Sequence, residues 1–204
     1  MAVMSKKSLS AVKAKSEELK IPYENLLSAF VIEEAVMAFC GSDEAENFRL
    51  KNNNILSLEY YRRKAPTRLE YMVLSEEELT VRNVIHRMSK IFQNEKKAEL
   101  WWKYRVEKED EGICVYLSAK IEELQIPVQL VLEQEKEEPS EPSHEELHPF
   151  LEEDRSVEYL HYPMEGILAE HFIRIMRDME LINDMGSYYT VSYTHLRAHE
   201  TLAN

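Results

Sequence analysis

Ile113-Cys114-Val115-Tyr116-Leu117-Ser118-Ala119-Lys120-Ile121 is the stretch on which the fold turns. Ile113, Val115, Leu117, Ala119 and Ile121 fall on one side, with Cys114, Tyr116, Ser118 and Lys120 opposite. That two-residue period belongs to a strand with one face in a core. Leu100 to Val106 and Ile126 to Leu132 flank it and are also rich in strand formers, which predicts three strands of an antiparallel sheet.

Upstream, the period changes. Val81, Val84, Ile85, Met88 and Phe92 share one face of a helix, and Ser75-Glu76-Glu77-Glu78 fits a capping box at its start. Glu70 to Leu74 is a short strand, and Leu50 to Tyr61 is expected to be helical. Pro22 suits the first position of a helix running to about Cys40, with Tyr23, Leu27, Val31, Ala35 and Ala38 at helical spacing. A polar helix over Ser8–Lys20 precedes it. Downstream, Pro163 opens a helix whose buried face is expected to hold Ile167, Leu168, His171, Phe172, Ile175, Met176 and Met179. Together these elements predict an α+β fold, a small mixed sheet packed with helices.

The 204 residues suit one domain, and no apolar run is long enough to span a bilayer. Cys40 and Cys114 have no companions at metal-ligand spacing and read as reduced thiols, so a cytoplasmic protein is expected. The formal charge of −13 is concentrated between Glu133 and Asp154, where ten acids face one base, Lys136. With Pro139, Pro142 and Pro149, residues 133–155 read as a solvated acidic loop. Such a charge balance disfavours nucleic acid as a partner. Residues 191–204 contain a string similar to a translated sequencing adapter, so a non-native tail is expected there and a domain over 1–190.

Five motifs stand in order along the chain. Ser10-Ala11-Val12-Lys13-Ala14-Lys15 is followed by a helix after Ile21-Pro22. Phe48-Arg49-Leu50-Lys51-Asn52-Asn53 comes next, with Thr67 beyond it. Ala119-Lys120 then precedes Ile126-Pro127-Val128-Gln129-Leu130, and Tyr162-Pro163-Met164-Glu165 leads into Ile167-Leu168-Ala169-Glu170. In this order they resemble the AbiEii/AbiGii nucleotidyltransferase toxins of bacterial type IV toxin–antitoxin and abortive-infection systems. The second motif is similar to the family's Phe-x-Leu-Lys-Gly-Gly, and Thr67 stands at the spacing of the threonine in its Arg-x-Thr-x-Asp-x-Asp. The fourth resembles the segment before a third aspartate, and the last the Tyr-x-Leu-Glu-x-Ile-Ala-Glu-Lys helix. The resemblance implies a nucleotidyltransferase-like fold and an antitoxin protein as partner. In an active member it also implies Mg2+ and a nucleoside triphosphate.

The departures fall on the chemistry. Carboxylates must hold divalent metal against the triphosphate, yet the aspartate positions carry Leu69, Tyr71 and Val131. Asn52-Asn53 replaces the Gly-Gly phosphate cradle, and His171 stands where the family has lysine. The last family motif falls on Asp184 to Thr190, including Met185, Tyr188 and Tyr189, without its charged residues. Retained are Lys51, Thr67 and Glu170, with Lys51 and Arg68 as candidate nucleotide contacts. A binding or interaction protein without catalysis, cofactor or metal is therefore expected. Trp101, Trp102 and Tyr104, on an expected edge strand, are candidates for its surface.

Two other readings use different residues. An active nucleotidyltransferase would relocate its acids to Glu59, Glu70 and Glu76, with Arg62, Arg63, Lys64 and Arg68 on phosphates. A zinc hydrolase would use His144-Glu145-Glu146-Leu147-His148, which satisfies His-Glu-x-x-His, with His161 or Glu165 as third ligand. That motif needs a helix to bring its two histidines together.

Overall fold

The computed structural model describes residues 2–92, 100–109, 112–121, 123–135, 142–152 and 154–177. Seven strands form one mixed sheet. They are β1 (Phe48–Leu50), β2 (Arg68–Leu74), β3 (Trp101–Glu109), β4 (Gly112–Ile121), β5 (Leu124–Glu135), β6 (Ser143–Leu147) and β7 (Val157–His161). The helices are α1 (Ala2–Leu19), α2 (Tyr23–Cys40), α3 (Leu58–Arg63), α4 (Val81–Phe92) and α5 (Met164–Arg177). The strand order is β3-β4-β5-β2-β1-β7-β6, with β2 parallel to β5, β1 parallel to β7 and the other neighbours antiparallel. The α+β reading holds, with a larger sheet than the sequence suggested. Among the described residues no helix is long and apolar enough to cross a membrane.

The alternation along 113–121 survives except at Cys114, which is buried on the opposite face. Ile113, Val115, Leu117, Ala119 and Ile121 are all buried, and they join Leu130 and Leu132 of β5 and Leu69, Tyr71 and Val73 of β2 in one core. Helix α2 lies on that face. It is buried nearly all round, through Leu26, Leu27, Ala29, Phe30, Val31, Ile32, Ala35, Val36 and Phe39, because α1 packs on its outer side. A helix covered on two sides needs more than one apolar stripe, which is why the stripe beginning at Tyr23 understates it.

The β3–β4 hairpin requires a glycine at 112. Its φ is +145°, and a Cβ there would sit 2.5 Å from the carbonyl oxygen of Leu132.

Four local expectations are corrected. Residues 50–61 are not one helix: β1 ends at Leu50, a 3-10 turn spans Asn53–Leu56, and α3 starts only after Ser57 caps it by accepting from the Tyr60 N–H at 3.2 Å. Ser75 does not begin α4. Its N–H donates to the Glu135 carbonyl (3.1 Å), and Gln134 holds the following loop by bonds to Ser75, Glu77 and Leu79, each 2.9 Å. Thr80 is the residue that caps α4, exchanging hydrogen bonds with Asn83 (2.8 and 3.3 Å).

The acidic segment is not all loop. β5 runs on through Glu133 and Glu135, and Ser143–Leu147 forms β6, an edge strand against β7. Finally, α5 buries only the start of its expected face. Ile167 is buried, but Phe172, Ile173 and Met176 are more than half exposed. Met179, residues 184–190 and the expected tail lie outside the described residues.

Candidate functional site

The sheet has two unlike faces. One carries the helices α2 and α4 and the main core; the other is polar and is crossed by α5. Register fixes which residues share that second face. Arg49 lies beside Met72, and Met72 beside Glu133. Glu70 lies beside Val131, Val131 beside Cys114 and Cys114 beside Glu107. Directly opposed residues point to the same side of a sheet.

Lys51 stands just past β1, held there by its N–H to the Glu70 carbonyl at 2.7 Å. Asn52 extends the pairing with its side chain. Its Nδ2 donates to the Arg68 carbonyl (3.0 Å), and its Oδ1 accepts from the Glu70 N–H (3.0 Å). A side-chain amide thus replaces a backbone rung, with Asn52 at an ordinary negative φ of −107°. Asn52 therefore seals β1 to β2, where a glycine pair would leave a cradle open.

The Lys51 ammonium sits between two carboxylates, 2.8 Å from Glu133 Oε2 and 2.6 Å from Glu170 Oε2, with its side chain only 8% exposed. Burial works against its charge, but the bonds to Glu133 and Glu170 outweigh it and hold its pKa above the ordinary lysine value. Such an amine stays protonated and is not a nucleophile. The Tyr162 ring lies 5.8 Å from the ammonium. Its hydroxyl donates to Glu135 Oε1 at 3.4 Å, a long bond. Burial, then the charges of Glu135 and Glu170, push the Tyr162 phenol up to about 12. Glu135 is raised by burial, with Tyr162 and Arg49 opposing.

Gly166 permits this approach, because a Cβ there would meet the Tyr162 ring at 2.6 Å. Tyr162, Ile167 and Met72 then form a small apolar cluster beneath α5. The network ties the last strand, the last described helix and the centre of the sheet together.

Of Lys51, Thr67 and Glu170, the structure joins Lys51 and Glu170 and leaves Thr67 apart. Thr67 is exposed, and its carbonyl accepts from the Gln129 N–H at 2.8 Å. Lys51 lies outside the helices, and Glu170 is one of its two partners. Leu69 and Tyr71 lie in the helix-covered core at 0% and 3% exposure. Val131 is on the opposite face, beside Glu70, so the three expected aspartate positions do not converge.

Arg68 pairs with Glu70 (Nε to Oε1, 2.9 Å), while Arg63 pairs with Glu59. Glu59, Glu70 and Glu76 do not form a cluster, and among the described residues no three carboxylate, imidazole or thiol groups are placed to hold a metal ion. Trp102 turns inward against Phe92, with ring centroids 5.1 Å apart, and Tyr104 also packs on the core. Trp101 alone of the three is open, at 57% exposure.

The zinc arrangement is overturned. His144 to Leu147 lie on β6, not a helix. In an extended strand, residues four apart are about 13 Å apart, too far for His144 and His148 to share one ion. His144 pairs with Glu158, and His148 Nε2 lies 3.4 Å from Glu146. His161 opposes Ser143, so it projects to the other side of the sheet from His144.

Sequence reasoning missed Glu133, Glu135, Arg49 and Tyr162. A signal was present for the first two: Val128, Leu130 and Leu132 alternate with Gln129, Val131 and Glu133, and the alternation continues to Glu135.

Lys51→Met tests the network. It keeps the apolar stem but leaves Glu133 and Glu170 facing each other without a cation. Removing one partner of a buried pair costs about 3–5 kcal/mol. The two glutamates here keep 29% and 37% side-chain exposure, so a loss of about 2–3 kcal/mol in urea unfolding is expected. An unchanged midpoint would show that the pair contributes nothing. Comparison of the sequence with protein-family models and with curated proteins finds no match.

Proposed function

We propose that this chain is a binding protein on a nucleotidyltransferase-like fold, without transferase chemistry, whose partner is a protein of the antitoxin kind. The observation that carries this reading is the state of Lys51. An ammonium closed between Glu133 and Glu170 is neutralised by both carboxylates, which leaves neither the lysine for a triphosphate nor the acids for a metal ion. Leu69 and Tyr71 in the core reinforce it, since neither can be turned outward without unpacking the sheet. Open apolar side chains on α5, Phe172, Ile173 and Met176, are surface of the sort that interaction proteins present. Weak nucleotide binding through Lys51 or Arg68 would not restore catalysis.

One arrangement favours the active alternative. Glu70 and Glu133 lie on adjacent parallel strands and share the polar face, diagonal to one another across β2 and β5. The assay is incubation with each labelled nucleoside triphosphate, Mg2+ or Mn2+, and total bacterial tRNA. No transfer of label is expected, and no toxicity on expression in a bacterium. Labelled tRNA that disappears with Glu70→Ala would show that a displaced carboxylate took over, and the binding-protein reading would fall.

A further inference from the structure

β3 is a strand of nine residues, Trp101–Glu109, that among the described residues pairs on one side only, with β4, and so stands at the sheet's edge. An edge of this length presents unpaired backbone donors and acceptors and is a template for another strand. Single charges along an edge usually block such pairing. Here the charges are sorted. On the face opposite the helices the strand reads Trp101, Lys103, Arg105, Glu107 and Glu109, two cations followed by two carboxylates. Val106 marks the centre of that charge pattern.

We propose that β3 is the interface of a symmetric dimer, pairing antiparallel with β3 of a second copy about a twofold axis at Val106. In that register Lys103 opposes Glu109 of the other copy, and Arg105 opposes Glu107. Symmetry repeats both contacts, so every cation meets a carboxylate. Sliding by one pair sets Arg105 against itself in one direction and Glu107 against itself in the other. Sliding by two pairs sets Lys103 against Arg105, or Glu107 against Glu109. The charge order therefore selects one register and rejects its neighbours.

The same register satisfies the backbone. Residues related by the axis expose the same groups on both strands, so outward N–H and C=O groups meet in matched pairs. On the helix side it places Tyr104 opposite Lys108 and Val106 opposite itself. Trp101, 57% exposed at the end of the strand, lies diagonal to Glu109 of the other copy and loses water there.

The charges are also held in position within each strand. Arg105 Nε is 3.2 Å from Glu107 Oε1, and its guanidinium stands 5.0 Å from the centroid of the Tyr116 ring. Glu109 accepts a hydrogen bond from the Tyr116 hydroxyl. Arg105 and Glu107 stay open, with side chains 68% and 44% exposed, so each can turn to a partner strand without unpacking anything.

The test uses the full 204-residue chain and two double variants. On the face opposite the helices, Lys103→Glu with Arg105→Glu makes all four charges acidic, and Glu107→Lys with Glu109→Lys makes all four basic. Sedimentation velocity should show wild type as a dimer that dissociates as sodium chloride is raised. Each variant alone should be monomeric, with the circular dichroism of wild type. Mixed one to one, they should form a heterodimer, because acidic meets basic at all four positions. A wild-type monomer would overturn the proposal. So would a dimer indifferent to salt, variants that still self-associate, or a mixture that stays monomeric. The wild-type salt series decides the matter even where a variant folds poorly.

Discussion

Leu69→Asp and Tyr71→Asp, made singly, are each expected to unfold the protein at room temperature rather than supply a metal ligand. Both side chains lie in the main core, at 0% and 3% exposure. Tyr71 stacks on Phe39 with centroids 4.6 Å apart and meets Phe48 edge-on at 5.9 Å. Deleting an aromatic ring from such a site costs about 3–5 kcal/mol, and placing an acid there adds several more for a buried charge or for its forced protonation. The sum rivals the whole stability of an ordinary domain, about 5–15 kcal/mol. The Tyr71 hydroxyl is buried without a hydrogen-bond partner among the described residues. Tyr71→Phe is therefore expected to leave stability unchanged or raise it by up to about 1 kcal/mol. Circular dichroism and urea titration separate the outcomes. A folded Tyr71→Asp protein that gains magnesium binding would mean that residue 71 faces the polar side, and the placement of the site would be wrong.

The division between what the sequence disclosed and what it hid follows from the range of the interactions. Strand β4 was legible because its alternation is local and its partners on both sides are strands of the same kind. Helix α2 was legible because its apolar spacing is local as well. The relation between Leu69, Tyr71 and Val131 was not, because a face is assigned by register between β2 and β5, and register joins residues far apart in sequence. Spacing within one strand shows that residues 69 and 71 agree with each other. It is silent on whether residue 131 agrees with them.

Charge misled in a second way. On β6 only Leu147 is buried, so an edge strand of Ser143, His144, Glu145 and Glu146 carries no apolar rhythm and reads as loop. The same acidity concealed the end of β5, where Glu133 and Glu135 are drawn onto the sheet by Lys51 and Tyr162, from segments far away in the chain. Helix α4 shows the opposite error. Ser75 and Glu78 fit a capping box by spacing, but Gln134 on β5 claims the loop that follows Ser75, and the cap passes to Thr80.

The second large effect belongs to Glu33, a carboxyl on α2 that is 2% exposed. It accepts from the Tyr61 hydroxyl at 3.1 Å and from the Phe150 N–H at 3.2 Å, tying α2 to α3 and to the turn before β7. Burial pushes its pKa up to about 8 from an ordinary 4.5, against the two hydrogen bonds, with the charge of Glu34 adding to the rise. In the unfolded chain Glu33 gives up its proton near pH 4.5, while in the folded chain it keeps it to about pH 8. Between those values the unfolded state binds fewer protons, so stability falls as pH rises and levels off above the upper value. The loss across the window is on the order of a few kcal/mol. Glu33→Gln keeps an acceptor oxygen at the site and cannot ionise. Near pH 4 it should match wild type within about 1 kcal/mol, and by pH 9 it should be the more stable by a few kcal/mol. His161, lowered by burial, contributes in the opposite sense below its ordinary 6.5. That contribution is common to both proteins and cancels in their difference. Urea unfolding of the pair from pH 4 to 9 is the measurement. Two curves that stay parallel would show that Glu33 titrates alike in the folded and unfolded chains, and that water reaches it at the junction of the three elements.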